Sequence, residues 1–217
     1  MRAADYPLAV DPVEREWWRR AVGVVARPRP VFAALRSEQA EDVEARQEPI
    51  LAIVLLAGIA GVLATPVAGQ LYDEPAVDGL FIAIWAFIAG GVYGVAGYFL
   101  LGAALWLALR SLGSDGRFRR ARHLLAFALV PIVLSLGLLP VELAVYGGDV
   151  FGSNGSDEGT GTAVFELLRL VFLLWAAGLL VVGVRELERW SWPRAAGTIG
   201  LLSLFTAAFL AVPTLLG

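Results

Sequence analysis

The chain has 217 residues, 58% of them hydrophobic and 17% charged, with a mean hydropathy of +0.71. Soluble domains run nearer roughly 45–50% apolar and 25% charged, so this is a membrane composition. The net charge is only −3, and the basic residues are scattered among acidic ones, which gives no basis for nucleic-acid binding. Without cysteine there are no disulfides, thiolate nucleophiles, zinc–thiolate sites or iron–sulfur clusters. The single histidine, His123, rules out a multi-histidine metal site and leaves no spare base for a Ser-His-Asp triad. No metal, cofactor or catalytic residue is expected, so the chain reads as a non-enzyme. All 17 basic residues are arginine, which is most simply codon usage.

Residues 1–48 form a cytoplasmic and interfacial segment in this reading, and residues 49–217 a five-helix membrane domain. The first segment is polar and rich in both charges, so no secretory signal is expected. Asp11, Pro12 and Glu14 open an amphipathic helix over 11–26 through a capping box and a proline at its first position. Val13, Trp17, Ala21 and Val24 recur at spacings of three and four, beside Trp18 and Val25. Trp17, Trp18, Arg19 and Arg20 are the residue types that sit at a membrane interface, where indole prefers the headgroup level and arginine meets phosphate. The alternative is a helix packed on the protein's own cytoplasmic face. Arg27-Pro28-Arg29-Pro30 ends it, Val31, Phe32 and Leu35 line a short second helix, and Ser37 to Glu48 reads as a solvated acidic connector.

Five apolar stretches follow, at about 49–68, 79–109, 121–146, 163–184 and 194–216, each compatible with a transmembrane helix. The fold class is therefore all-α integral membrane protein. The second stretch, at about 1.5 Å per residue, exceeds the hydrocarbon thickness and must tilt, protrude or break. Gly90, Gly94 and Gly97 lie at its middle, with Gly90 and Gly94 at the spacing that lets helices approach closely. The sharper alternative there is a flexible or ligand-facing segment. Pro131 and Pro140 predict a kinked third span, because each removes a backbone donor and crowds the preceding turn. Trp190 and Trp192 mark an interface between the last two spans. Asn154-Gly155-Ser156 matches a glycosylation sequon, a three-residue pattern frequent by chance.

Arginine counts set the orientation: eight before span one, then none, five, none and three between successive spans. The positive-inside rule then puts the N-terminus in the cytoplasm and the C-terminus outside. Only Glu142, Glu166 and Arg169 carry charge within spans. Glu142 ends an outward span and Arg169 begins an inward one, so the two reach similar depth and can pair. Glu166, three residues before Arg169, can share the guanidinium. Such a cluster pins spans three and four together, lines a polar cavity, or snorkels to the surface.

Several features in order carry a resemblance. They are Trp18 with Arg27-Pro28-Arg29-Pro30-Val31-Phe32-Ala33-Ala34-Leu35, the glycine-rich second span, and Gly113-Ser114-Asp115-Gly116-Arg117-Phe118-Arg119-Arg120-Ala121. Leu129-Val130-Pro131 and Trp192-Pro193-Arg194-Ala195 complete the set. Over roughly residues 17–217 the chain resembles the Yip-domain family of five-span membrane proteins, in particular its prokaryotic branch. The resemblance implies a five-helix bundle with a cytoplasmic N-terminus. Eukaryotic relatives act in vesicle traffic and contact Rab GTPases, but their Asp-Leu-Tyr-Gly-Pro and Tyr-Gly-Tyr signatures are absent here. The leading expectation is a non-enzymatic protein of a prokaryotic plasma membrane that organises membrane lipids, itself or another membrane protein. A small transporter or channel using a polar cavity near Glu142, Glu166 and Arg169 is the alternative.

Overall fold

The computed structural model describes the backbone of residues 17–36, 40–65, 79–147 and 160–216, and the side chains of 21–36, 50–65, 80–147 and 163–207. Among the described residues the chain is helical, without strands. Its helices are α1 (Trp17–Ala26), α2 (Pro28–Ala34), α3 (Ala40–Leu63), α4 (Gly79–Ser111), α5 (Phe118–Ala128), α6 (Val130–Ser135), α7 (Leu138–Tyr146), α8 (Thr160–Glu188) and α9 (Trp192–Leu216).

Three stretches are long and apolar enough to cross a membrane: Leu80–Ser111, Phe118–Tyr146 and Ala163–Glu188. Ile50–Leu63 is a shorter apolar helix. The expected fifth span maps onto α9, whose side chains are described only to residue 207. Phe81, Ile84, Phe87, Ile88 and Val92 of α4 are each more than half exposed. A surface of that kind is unfavourable in water and ordinary against acyl chains.

The second span neither breaks nor bends out of helical form, for α4 runs unbroken over 33 residues. Its glycines serve close packing instead. A Cβ at Gly58 of α3 would collide with the backbone of Gly90 and Gly94, and one at Gly90 would lie 2.7 Å from the Ile59 Cα. The two helices touch backbone to backbone there, which only glycine permits. This disposes of a flexible, ligand-facing reading for Gly90 and Gly94. Gly97 plays no part in the contact, since a Cβ there would meet nothing within 4 Å.

The third span is not one kinked helix but three helices in series. At the first break the Leu129 N–H is shared between the carbonyls of Leu125 and Ala126, at 3.1 Å each. Pro131 then occupies the first turn of α6, where a missing N–H costs nothing. At the second break Leu136 and Gly137 bond back three residues, to Val133 and Leu134. The Ser135 hydroxyl donates to the Ile132 carbonyl at 2.7 Å, which satisfies an acceptor that the tightened turn leaves over. Pro140 falls in the first turn of α7 and has no N–H for the Leu136 carbonyl four residues back, so the break lies where its ring would crowd a continuous helix.

The segment expected to be a solvated connector is also different: α3 begins at Ala40 and carries the acidic residues into the helix. The core lies around the middle and C-terminal part of α5. Leu124, Phe127, Leu105 and Val184 are buried there together with Val24 of α1 and Phe32 and Leu35 of α2. Phe32 fits because residue 183 is glycine, where a Cβ would stand 3.1 Å from the Phe32 ring. The two N-terminal helices therefore dock on the bundle itself.

Candidate functional site

The two ends of the bundle are chemically unlike. At one end α3, α5 and α9 begin and α4 and α8 finish, and arginines there are stacked on aromatic rings. Arg122 of α5 lies over Tyr98, Phe99 and Phe118, with its guanidinium carbon 5.0, 4.4 and 4.7 Å from the ring centres. Its stem crosses Gly102, where a Cβ would collide with the Arg122 Cγ. The Arg122 Nε is buried with no hydrogen-bond partner, and the π faces of three rings supply the counter-field that a carboxylate would otherwise provide.

The same pattern continues around the end. Arg110 covers Trp106 at 5.2 Å, Arg185 covers Trp192 at 4.6 Å and Arg194 covers Trp190 at 4.1 Å. The Trp106 indole donates to the Gly116 carbonyl at 3.1 Å, and Arg194 donates to the Leu112 carbonyl, so the α4–α5 turn is held from both sides. Arg36 of the α2 end donates to the Glu186 carbonyl in the last turn of α8. A cation on the terminal carbonyls of a helix both satisfies them and complements the helix dipole. Glu186 is also approached by Arg185 at 3.1 Å and Arg29 at 3.7 Å. Together these contacts form a collar that welds α2, the α4–α5 turn and the α8–α9 corner. His123 is buried beneath it.

Trp190 and Trp192, expected at an interface, are collar members. Trp17, Trp18, Arg19 and Arg20 belong to α1, but their side chains lie outside the described residues. Asn154 is likewise outside them. The stacking partners Arg122, Arg110, Tyr98 and Phe118 are not singled out by sequence. Their only signal is arginine recurring beside aromatics at helix ends.

At the far end Arg169 of α8 meets Glu142 of α7. One nitrogen, Nη2, donates to both carboxylate oxygens at 2.5 and 2.6 Å. Glu142 is 3% exposed. An unpaired carboxylate so placed would be expensive, and the guanidinium removes that cost. Glu166 does not join them. It is exposed, and among the described residues it makes no ion pair. Beside the pair is a half-open cavity of about 150 Å³. Gly61 and Ala64 of the α3 end, Ser135 and Leu136 of the α6–α7 break, and Glu142 and Arg169 are among its walls. The cavity lies beside the Leu136–Gly137 break, between the end of α3, α7 and α8. Tyr146 and Phe165, edge to face at 6.1 Å, link α7 to α8 again nearer the end.

No group of acidic or histidine side chains among the described residues is arranged to hold a metal ion. An all-helical, membrane-type chain with a glycine-packed second span and a proline-broken third is the frame against which its relatives can be sought. The model of the Yip1 domain matches residues 22–213. The chain belongs to the Yip1 domain family. No curated protein and no solved structure matches it. The Yip1 domain here therefore takes in α2 and the second half of α1 with the membrane helices, consistent with the burial of Val24 and Phe32 in one core. Apolar helices and family membership together make it a membrane protein.

Proposed function

We propose that this Yip1 domain protein is a non-enzymatic, five-span protein of a prokaryotic plasma membrane that organises lipids and neighbouring proteins at its cytoplasmic face. In this reading α3, α4, the α5–α7 series, α8 and α9 are the five spans, and the collar faces the cytoplasm. The C-terminus is then outside. The observation that carries the reading is the collar. Arginines with exposed edges, backed by tryptophan, are suited to draw anionic headgroups and to hold a fixed depth in the bilayer. The docked N-terminal helices extend that surface and give a partner protein a rigid platform.

A transport reading would require a polar path past Phe127 and Leu124, and both are buried in the apolar core. The experiment is reconstitution of the full chain in liposomes that contain a trace of dansyl-labelled phosphatidylglycerol and an entrapped fluorescent solute. The expected result is tryptophan-to-dansyl transfer above that of a phosphatidylcholine probe, weakened in an Arg110→Gln, Arg194→Gln variant, with no solute release. Equal transfer for both probes, or protein-dependent release, would overturn the reading.

A further inference from the structure

We infer that the cavity at the far end of the bundle is a binding site for one anionic membrane lipid, with its phosphate on Arg169 and the start of an acyl chain in the cavity. The inference is independent of the collar. Arg169 uses a single nitrogen for Glu142, and among the described residues its Nε and Nη1 carry no hydrogen bond. Nη1 therefore keeps its N–H groups for a phosphate oxygen, while Nη2 stays on the carboxylate. The side chain is 38% exposed while its partner Glu142 is 4% exposed, so the guanidinium is held from behind and open in front.

The adjoining space is of the right kind for hydrocarbon. Its walls include Ala60, Gly61, Leu63, Ile132, Leu136 and Leu139, and at about 150 Å³ it takes a small apolar fragment. An engineered apolar cavity of about that volume in another protein binds benzene. The walls hold no second cation and, beyond Ser135, no uncharged polar side chain. The Ser135 hydroxyl is committed to the Ile132 carbonyl. A sugar or a peptide would leave most of its polar groups without partners, whereas an amphiphile with one anionic group would not. Depth agrees with this choice. Arg169 stands six residues into the apolar part of α8, about 9 Å by helical rise, and arginine stems snorkel outward towards headgroups.

The test uses Gly61, a wall residue where an added Cβ meets nothing within 4 Å. Gly61→Leu therefore adds bulk at the cavity wall and leaves the Glu142–Arg169 pair in place. The full chain in detergent is titrated with phosphatidylglycerol, phosphatidylcholine and inorganic phosphate, and the midpoint of thermal unfolding is followed. Phosphatidylglycerol is expected to raise the midpoint, with phosphatidylcholine at least tenfold weaker and phosphate without effect. Gly61→Leu should unfold at the wild-type midpoint without lipid and lose at least tenfold in apparent affinity. Arg169→Lys, which keeps one cationic nitrogen for Glu142 and has no second nitrogen for a phosphate, should lose selectivity between the two lipids. An unchanged response in Gly61→Leu would overturn the site. So would a response abolished by Arg110→Gln, Arg194→Gln, which would place the lipid on the collar, or an equal response to phosphate alone.

Discussion

Arg169 sets one nitrogen between the two carboxylate oxygens of Glu142, at 2.5 and 2.6 Å, across the gap between α7 and α8. The pair fastens α7 to α8 at the middle of α7. Replacing Arg169 with Leu leaves a buried carboxylate without its cation. Breaking such a pair costs about 3–5 kcal/mol when both partners are buried, and the low end applies because Arg169 is 38% exposed. Thermal unfolding in detergent should show a clear drop for Arg169→Leu and substantial recovery for Glu142→Leu, Arg169→Leu. A single variant as stable as the parent would show that the pair holds nothing.

Gly58 and Gly97 offer a matched contrast. Alanine at Gly58 forces α3 away from Gly90 and Gly94, an overpacking cost of about 1–3 kcal/mol. Alanine at Gly97 meets open space, and the gain in helix propensity, up to about 1 kcal/mol, is all that remains. Unfolding by titrated SDS should order the proteins Gly97→Ala, parent, Gly58→Ala. The reverse order would mean that the close contact is not a stabilising one.

Phe32 is fully buried against Leu124 and Gly183 although it belongs to a helix outside the membrane stretches. Undocked, α2 would expose Phe32 to water or to the membrane surface, and only the first carries the full hydrophobic cost. Phe32→Ala should cost about 3–5 kcal/mol of docking free energy. The readout is local: faster amide exchange and protease cleavage in residues 17–36, with α4 and α8 unchanged. Protection identical to the parent would mean that α2 is held by its arginines alone.

The native chain has no cysteine, so single introduced thiols report topology without background. Asp115→Cys, in the exposed α4–α5 turn, should react with an impermeant maleimide only after spheroplasts are opened. Ser153→Cys, between the third and fourth apolar stretches, should react in intact spheroplasts. The opposite pattern would invert the proposed orientation.

Much of the frame can be read from residue order, because long apolar runs and the placement of arginine are one-dimensional signals. Depth counting along two antiparallel spans is enough to bring Glu142 opposite Arg169. It does not reveal that Glu166, one turn away, stays exposed, since that depends on how α8 is rotated. Gly90 and Gly94 advertise a close approach, but which helix approaches is a tertiary fact, and the answer is Gly58 of α3. Pro131 and Pro140 suggest two bends of equal standing. The second break falls at Leu136–Gly137, one turn before Pro140, and the sequence does not show that i→i+3 bonds and Ser135 close that turn. The helix over residues 40–48 is hidden by its acidic composition, which resembles a connector. The collar is hidden most deeply. Arg122 contacts Tyr98 and Phe99 from another helix, and counting arginines for orientation gives no hint of which ring each one covers.

The bond from Arg36 to the Glu186 carbonyl joins positions 150 residues apart in the chain. At synthesis rates of about 5–20 residues per second, Arg36 leaves the ribosome roughly 8–30 s before its acceptor exists. Throughout that interval α2 has an apolar face and no α8 to receive it. The contacts of α2 with α8 are thus among the last that the growing chain can complete. A nascent chain halted before residue 186 would present Phe32 and Leu35 to whatever surface is at hand, and in the cell that surface is the membrane beside it.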